Sequence, residues 1–317
     1  MIIIMAMRRL SQSLAAAVAL GAALLAAACS SGVTAGASAS SGHAIVAVGA
    51  ENEYANVIQQ VGGKYVTTSA VMSNPNTDPH TFEASTSVAR EVSAAQLVVQ
   101  NGVGYDTFMN TIERAVPDAS RKVIDVQNLL GLPDSTPNPH LWYKPSTMPA
   151  VANAVAADLA SLQPAHASYF RANARTFIGS LAAWDQAVAA FKAKYPDTPV
   201  AVTEPVADYM LQAAGADIKT PFAFQADIMN GVDPSAQDVA LERSLFTQHK
   251  VKVFLYNQQV TDSLTESFIS LAQRSGVPVV GVYETMPTPG YTYQTWMLAE
   301  TNDIHQAVAH KKSAEKL

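Results

Sequence analysis

The sequence has little cysteine, little charge and none of the short motifs that mark common enzymes. Its one cysteine, Cys29, excludes an internal disulfide. Charged residues make up 15% of the 317 residues, the net charge is −6, and no block of like charges occurs, which argues against a nucleic acid partner. The chain contains no His-Glu-x-x-His helix, no Gly-x-Ser-x-Gly nucleophile elbow and no Gly-rich dinucleotide loop. These absences disfavour disulfide scaffolds, nucleic-acid binders and several enzyme classes.

An export signal is present at the N-terminus. Two arginines precede an apolar stretch from Leu14 to Ala28, and Cys29 follows it directly. The stretch is short for a membrane span. Small residues before the cysteine resemble a bacterial lipobox, and a secreted protein with a free thiol is the alternative. We predict a lipoprotein signal peptide at 1–28, a flexible tether at 29–43, and a lipid anchor on Cys29 at the extracytoplasmic face of the cell membrane.

Strands and helices alternate in two stretches that a long helical pattern separates. Over 44–165 and again over 196–317, short apolar runs are followed by segments with helical spacing, which indicates parallel sheets covered by helices. Between them, apolar residues recur at threes, fours and sevens over 166–195, and such a helix would be about 40 Å long. The predicted fold class is therefore α/β, with an N-terminal α/β lobe, a single long linking helix and a C-terminal α/β lobe.

Four candidate metal ligands lie in loops of the two predicted lobes. His80 and His140 each follow a proline in the first lobe, and Glu204 and Glu284 each come directly after a predicted strand of the second. Open α/β sheets bind ligands beyond the carboxyl ends of their strands. Two imidazoles and two carboxylates suit a divalent metal such as Mn, Fe or Zn. Taken singly, each His is explained equally well as an ordinary loop residue, and each Glu is better explained as one. The repeated placement of the four residues nevertheless predicts a metal site between the lobes.

The chain resembles the metal-specific solute-binding lipoproteins of zinc and manganese ABC importers over nearly its whole length. The resemblance is carried by Asp78-Pro79-His80-Thr81-Phe82-Glu83, by His140-Leu141-Trp142, by the lipobox and by the long linking helix. It implies a protein without catalytic activity that captures one divalent transition metal, Mn or Zn, as cargo. It also implies two lobes joined by a rigid helix, a small movement on binding, a monomer, and delivery to an ABC permease with its ATPase.

The same resemblance assigns a ligand position to each candidate residue. His80 and His140 fall on the family's first and second ligands. Glu204 falls on the third, which is His in typical zinc receptors and Glu in typical manganese receptors. The fourth ligand is usually Asp, and Glu284 stands there with a longer side chain. The direct coordination of Glu284 is thus the weakest part of the predicted set.

The ion and the function class are left open between stated alternatives. The loop 129–139 lacks the histidines that many zinc receptors carry there, which leans away from the periplasmic zinc type. A site of two His and two carboxylates nevertheless binds Zn more tightly than Mn whatever its cargo. The alternatives to a receptor are a zinc hydrolase, with Glu284 as general base, and an adhesin or a receptor for a small organic ligand.

Overall fold

In the computed structural model, two parallel sheets of four strands each organise the described residues, which are 43–76, 79–287 and 289–317. The residues His43–Leu317 form one compact unit. The predicted signal peptide, the predicted tether up to residue 42, and Cys29 lie outside the described residues, as do Thr77 and Asp78. Within the described part of the chain, no helix combines the length and apolar character needed to cross a membrane.

The first sheet is built from four strands in the order β2-β1-β3-β4, and all neighbouring pairs are parallel. The central strands β1 and β3 are almost wholly buried, as expected for a parallel sheet with helices on both faces, which explains their continuous apolar sequences. The bounds are β1 (Ile45–Glu51), β2 (Val66–Met72), β3 (Leu97–Gln100) and β4 (Lys122–Asp125).

The second sheet repeats this plan in the order β6-β5-β7-β8. Its strands are β5 (Pro199–Val202), β6 (Asp217–Ile218), β7 (Val253–Asn257) and β8 (Val279–Val282). Sequence patterns did not predict β6, because two residues carry no periodic signal. The C-terminal segment lies along β8, where Gly281 N donates to Ala314 O and Ala314 N donates to Val279 O, each at 2.9 Å.

Helices cover the sheets. In the first half of the chain they are α1 (Asn52–Gly62), α2 (Thr86–Ala94), α3 (Thr107–Ala115), α4 (Val126–Leu129), α5 (Thr147–Leu162) and α6 (Ala167–Ser180). In the second half they are α7 (Ala182–Lys194), α8 (Asp208–Ala213), α9 (Phe222–Met229), α10 (Ala236–Thr247), α11 (Ser263–Arg274) and α12 (Tyr293–His310). The strand–helix alternation predicted for both lobes is therefore present.

The predicted linking helix is divided at Leu181 into α6 and α7. Ser180 Oγ donates to Phe177 O at 2.6 Å, and this is the carbonyl that Leu181 N would use in a regular α-helix. Leu181 N bonds Ile178 O instead, at 3.2 Å, which tightens the turn locally. α6 packs on α5 and α1, and α7 packs on α12 and α8, so the pair still runs from one sheet system to the other.

One hydrophobic cluster includes residues from both sheets. Val99 of β3 and Val253 of β7 belong to it together with Trp184 of α7, and all three are buried. Each sheet also has a smaller cluster on its far face. The two lobes therefore share a core along the linking helices.

Candidate metal centre

The four predicted ligands lie beyond the carboxyl ends of strands or in turns close to them. His80 is in a short 3₁₀ turn, Pro79–Thr81, after β2, and His140 directly precedes another, Leu141–Tyr143. Glu204 and Glu284 each lie two residues beyond their strands, β5 and β8, and not directly after them as the sequence pattern predicted. One residue, Thr203 or Tyr283, lies between each strand and its carboxylate.

Three of the four predicted ligands come together. His80 Nε2 and His140 Nε2 each lie 3.1 Å from Glu284 Oε2. One donor atom from each of the three residues lies within 4.8 Å of the other two. Glu284 comes from the second sheet and both histidines from the first lobe, so the group joins the two halves of the described chain. Glu204 is not a member of this group.

Hydrogen bonds define which nitrogen of His140 faces the site. Asn138 Nδ2 donates to Pro205 O at 2.7 Å, so the other amide atom, Oδ1, is the oxygen. That oxygen lies 2.8 Å from His140 Nδ1 and also accepts from His140 N at 2.9 Å. Because an amide oxygen only accepts, Nδ1 carries a proton, and Nε2 is the nitrogen of His140 that faces Glu284.

The surroundings of Glu284 and His140 shift the pKa values of both groups. Burial raises the pKa of Glu284, but its hydrogen bonds with His140 and His80 outweigh burial and hold that pKa well below its usual range. Burial lowers the pKa of His140, although the hydrogen bond and the charge of Glu284 act to raise it. A divalent cation between them satisfies both, because it is coordinated by an ionised carboxylate and by neutral imidazole.

The donor spacing fits a small transition-metal ion. Ligand atoms held at about 2.0–2.1 Å in tetrahedral geometry lie roughly 3.3 Å apart. The two histidine-to-carboxylate distances of 3.1 Å are close to that separation. Nitrogen and oxygen donors suit Mn, Fe, Ni and Zn, and affinity among these rises towards the later metals. The three residues can therefore hold one such ion with little movement.

Glu204 is buried beside the group. Its side chain lies 3% exposed, in the loop after β5. The preceding residue, Thr203, accepts at Oγ1 a hydrogen bond from Asn257 N at 3.0 Å. The following residue, Pro205, accepts the hydrogen bond from Asn138. Both neighbours of Glu204 are thus bonded to residues that contact the histidine and carboxylate ligands.

Two residues that the sequence interpretation missed hold Glu284 in place. Asn257 Nδ2 donates to Oε1 at 2.5 Å and Tyr105 OH donates to Oε2 at 2.9 Å. Asn257 ends β7, which lies between β5 and β8 in the sheet. Asn257 lies at the carboxyl end of a strand, where open α/β sheets bind ligands. The argument that selected Glu204 and Glu284 could therefore have selected Asn257 as well. Tyr105 follows a glycine-rich turn and had no comparable signal.

Further carboxyl groups are buried close to the site. The side chains of Glu51 and Glu53 are buried, with at most 2% of each residue exposed. Burial raises the pKa of both groups, and the charge of Asp106 raises the pKa of each further, as does the charge of Glu284 for Glu53. Burial and mutual repulsion therefore disfavour the ionised forms of these two carboxyl groups.

Access from solvent is through His80. Its side chain is 21% exposed, whereas those of His140 and Glu284 are fully buried. His80 lines a cavity of about 350 Å³ between residues of the two lobes, with Phe82, Tyr105, Met229 and Val260. An ion that enters through this cavity meets His80 before it reaches the buried ligands.

The sequence matches one family over most of its length. The family described as zinc-uptake complex component A, periplasmic (ZnuA), matches residues 48–307. A curated relative, the manganese-binding lipoprotein MntA of Bacillus subtilis, is 22% identical over 236 residues, which cover 71% of this chain and 74% of that protein.

Solved structures share the fold. The periplasmic zinc binding protein TroA from Treponema pallidum is 19% identical, with a TM-score of 0.70, and the match covers 86% of this chain and 100% of that one. The manganese complex of FpvC from Pseudomonas aeruginosa is 20% identical, with a TM-score of 0.69, and the match covers 85% and 99%. At these identities the comparison establishes the two-lobed α/β fold.

Proposed function

We propose a metal-receptor function for this chain, which belongs to the family of periplasmic zinc-uptake complex component A. It is an extracytoplasmic substrate-binding protein of an ABC importer that captures a divalent transition metal and works with a permease and its ATPase. The observation that carries the proposal is the convergence of His80, His140 and Glu284 on one point. The comparisons lend no support to a hydrolase, an adhesin or a receptor for organic ligands.

We infer that the four ligands are His80, His140, Glu204 and Glu284. The convergent three form the site as it stands, and burial of Glu204 between Thr203 and Pro205 supports its role as the fourth. Four protein ligands close a tetrahedral site and leave no position for an activated water, so no catalytic role follows. The cargo is Mn or Zn, the metals named for MntA and TroA.

The proposed organisation of the chain follows from the same function. Residues 44–165 and 196–317 form the two lobes and 166–195 the link between them. Residues 1–28 are the signal peptide and 29–43 the tether, so that Cys29 anchors a monomeric receptor to the membrane. A tether of this kind keeps the receptor near its permease without restricting its rotation.

Elemental analysis of the protein purified without chelator tests the function directly. We expect one Mn or Zn per chain. His80→Ala and Glu204→Ala should each weaken binding strongly with little loss of fold, because neither side chain belongs to the main hydrophobic cluster. His310→Ala, at an exposed histidine on α12, is the matched control. Unchanged affinity in both ligand variants would show that the assigned site is wrong.

Competition between the two ions identifies the cargo. Reversible Mn binding together with almost irreversible Zn binding indicates manganese uptake, because Zn binds such donors more tightly in any case. Exchangeable Zn with no useful Mn affinity indicates zinc uptake. Wild-type protein that retains no metal would instead favour the receptor for an organic ligand.

A further inference from the structure

The first residue of α1 is hydrogen-bonded to the loop that carries Glu284. Asn52 Nδ2 donates to Met286 O at 2.8 Å, and Asn52 Oδ1 accepts from Met286 N at 3.0 Å. Met286 is two residues from Glu284, and Asn52 is 6% exposed. A side-chain amide has one donor group and one acceptor, so Asn52 can bond both the N–H and the C=O of Met286. The second lobe's ligand loop is thus fixed to the first lobe at a buried point.

The same turn of α1 also holds the loop of His140. Tyr54 OH donates to Asn101 Oδ1 at 2.6 Å, and Asn101 Nδ2 donates to Pro139 O at 2.8 Å. Pro139 directly precedes His140. Asn52 therefore bonds directly to the loop of Glu284 in the second lobe. Tyr54 reaches the loop of His140 in the first lobe through Asn101.

Further along α1, the same face bonds the start of α12. Tyr293 N donates to Asn56 Oδ1 at 3.0 Å, and Gln60 and Gln294 exchange hydrogen bonds at 3.1 and 2.9 Å. Asn52, Asn56 and Gln60 are four residues apart, so they lie on one side of the helix. This polar row joins the lobes, but its far end is distant in sequence from any proposed ligand.

We propose that Asn52 is a positioning residue for the metal site. This proposal rests on the receptor function proposed above. Asn52 sets Glu284 in register with the histidines by fixing the backbone of Met286. The Nε2 atoms of His80 and His140 meet a single oxygen, Glu284 Oε2, so a small displacement of that loop lengthens both distances at once. Asn56 and Gln60 hold the lobes together without this effect.

Metal binding by Asn52→Ala tests this role. Removing both hydrogen bonds frees the loop, and we expect Zn affinity to fall about tenfold, in the range seen when groups that orient ligands are lost. Dissociation should be correspondingly faster, and the visible absorption of the Co²⁺-loaded protein should change, because it reports the geometry of the bound ion. Gln60→Ala removes an interlobe pair from the same helix face and should alter neither readout.

A second variant and the wild-type protein separate the outcomes. Asn52→Ser retains one hydrogen-bonding group and should give an intermediate affinity. Wild-type spectra and affinity in Asn52→Ala, or equal losses in Gln60→Ala, would overturn the positioning role. Failure of both Asn52 variants to fold would also overturn it, since the bonds would then serve the fold as a whole. Absence of metal binding in the wild type would instead refute the receptor function itself.

Discussion

At the scale of single residues, Asn257 limits how Glu284 can bind a metal. Its amide donates to Glu284 Oε1, while Oε2 faces both imidazoles. The amide orientation is fixed, because Asn257 Oδ1 accepts from Gln259 N at 3.0 Å. Glu284 therefore has one oxygen bonded to Asn257 and the other turned towards the two imidazoles.

Replacing Asn257 with Ala should weaken metal binding about 10- to 100-fold, because Glu284 loses the donor that orients it. Titration with Zn against a competing chelator measures the change. Asn153→Ala, which removes an amide from an exposed position on α5, serves as the control. Equal affinities in the two variants would show that the orientation of Glu284 does not depend on Asn257.

Glu300, which is not one of the proposed ligands, should make the free energy of unfolding depend on pH. It accepts hydrogen bonds from Tyr143 OH at 2.6 Å, Trp296 Nε1 at 2.7 Å and Tyr283 N at 3.2 Å. Burial nevertheless raises its pKa from 4.5 to about 8. Between these values the folded state holds a proton that the unfolded state has released. Stability from this group is therefore fully present below pH 4.5 and is lost as the pH rises through about 8.

Glu300→Gln should remove this dependence. Relative to the variant, the wild-type free energy of unfolding should fall by at most about 1.4 kcal/mol per pH unit as the pH rises from 5 to 8. Urea denaturation of metal-free protein at several pH values measures it, and taking the difference cancels groups common to both proteins. Parallel curves for the two proteins would contradict the prediction.

Residue patterns pointed to the three side chains that converge, but not to the residues that support them. His80, His140 and Glu284 stand in motifs or at strand ends, and these signals lie within a few residues of sequence. Asn52 and Tyr105 reach the site from distant parts of the chain, and their roles depend on the packing of two lobes. No local pattern reports such a contact, so the sequence could not identify them.

At the scale of elements, the linking helices α6 and α7 join the two lobes and also contribute buried side chains to the main hydrophobic cluster. The sequence period predicted a helix over 166–195 because apolar residues recur on one face, and that face does pack inwards. The division at Leu181 directly follows Gly179-Ser180, a pair at which helices commonly bend, and a hydrophobic period carries no signal for such a pair. α7 is fixed to α12 mainly through Trp184, which packs edge-on against Tyr293 and donates to Thr301 Oγ1 at 3.1 Å.

Trp184→Ala should lower the free energy of unfolding by about 3–5 kcal/mol, because it opens a large cavity and leaves Thr301 without its donor. Chemical denaturation measures the loss. Gln186→Ala, an exposed neighbour on α7, should change stability by less than about 0.5 kcal/mol. A loss below about 1 kcal/mol for Trp184→Ala would mean that the link is not anchored there.

At the scale of the whole molecule, the shared core restrains the lobes. The main hydrophobic cluster runs from the first sheet through the linking helices to the second. Large hinge opening would expose that surface to water, at about 25 cal/mol per Å². We therefore expect release of a bound metal to require only small shifts of the loops, since the site is reached past His80, which is partly exposed.

The same core should make both lobes unfold together. We expect a single calorimetric unfolding transition whose van't Hoff enthalpy is close to its calorimetric enthalpy. Bound Zn should raise the midpoint temperature of that single transition. In His140→Ala, which lacks one of the proposed ligands, Zn should no longer raise the midpoint temperature. Two resolved transitions, of which the metal moved only one, would show that the lobes are independent.

The C-terminal segment along β8 has a consequence for behaviour at high concentration. β8 is the outer strand of its sheet, and an uncovered outer strand is a template for pairing with another chain. Ala314 occupies two of its hydrogen-bonding positions, and a side chain at Gly281 would collide with the backbone at Glu315. This glycine lets the segment lie against the strand, so that colloidal stability depends on a residue with no part in metal binding.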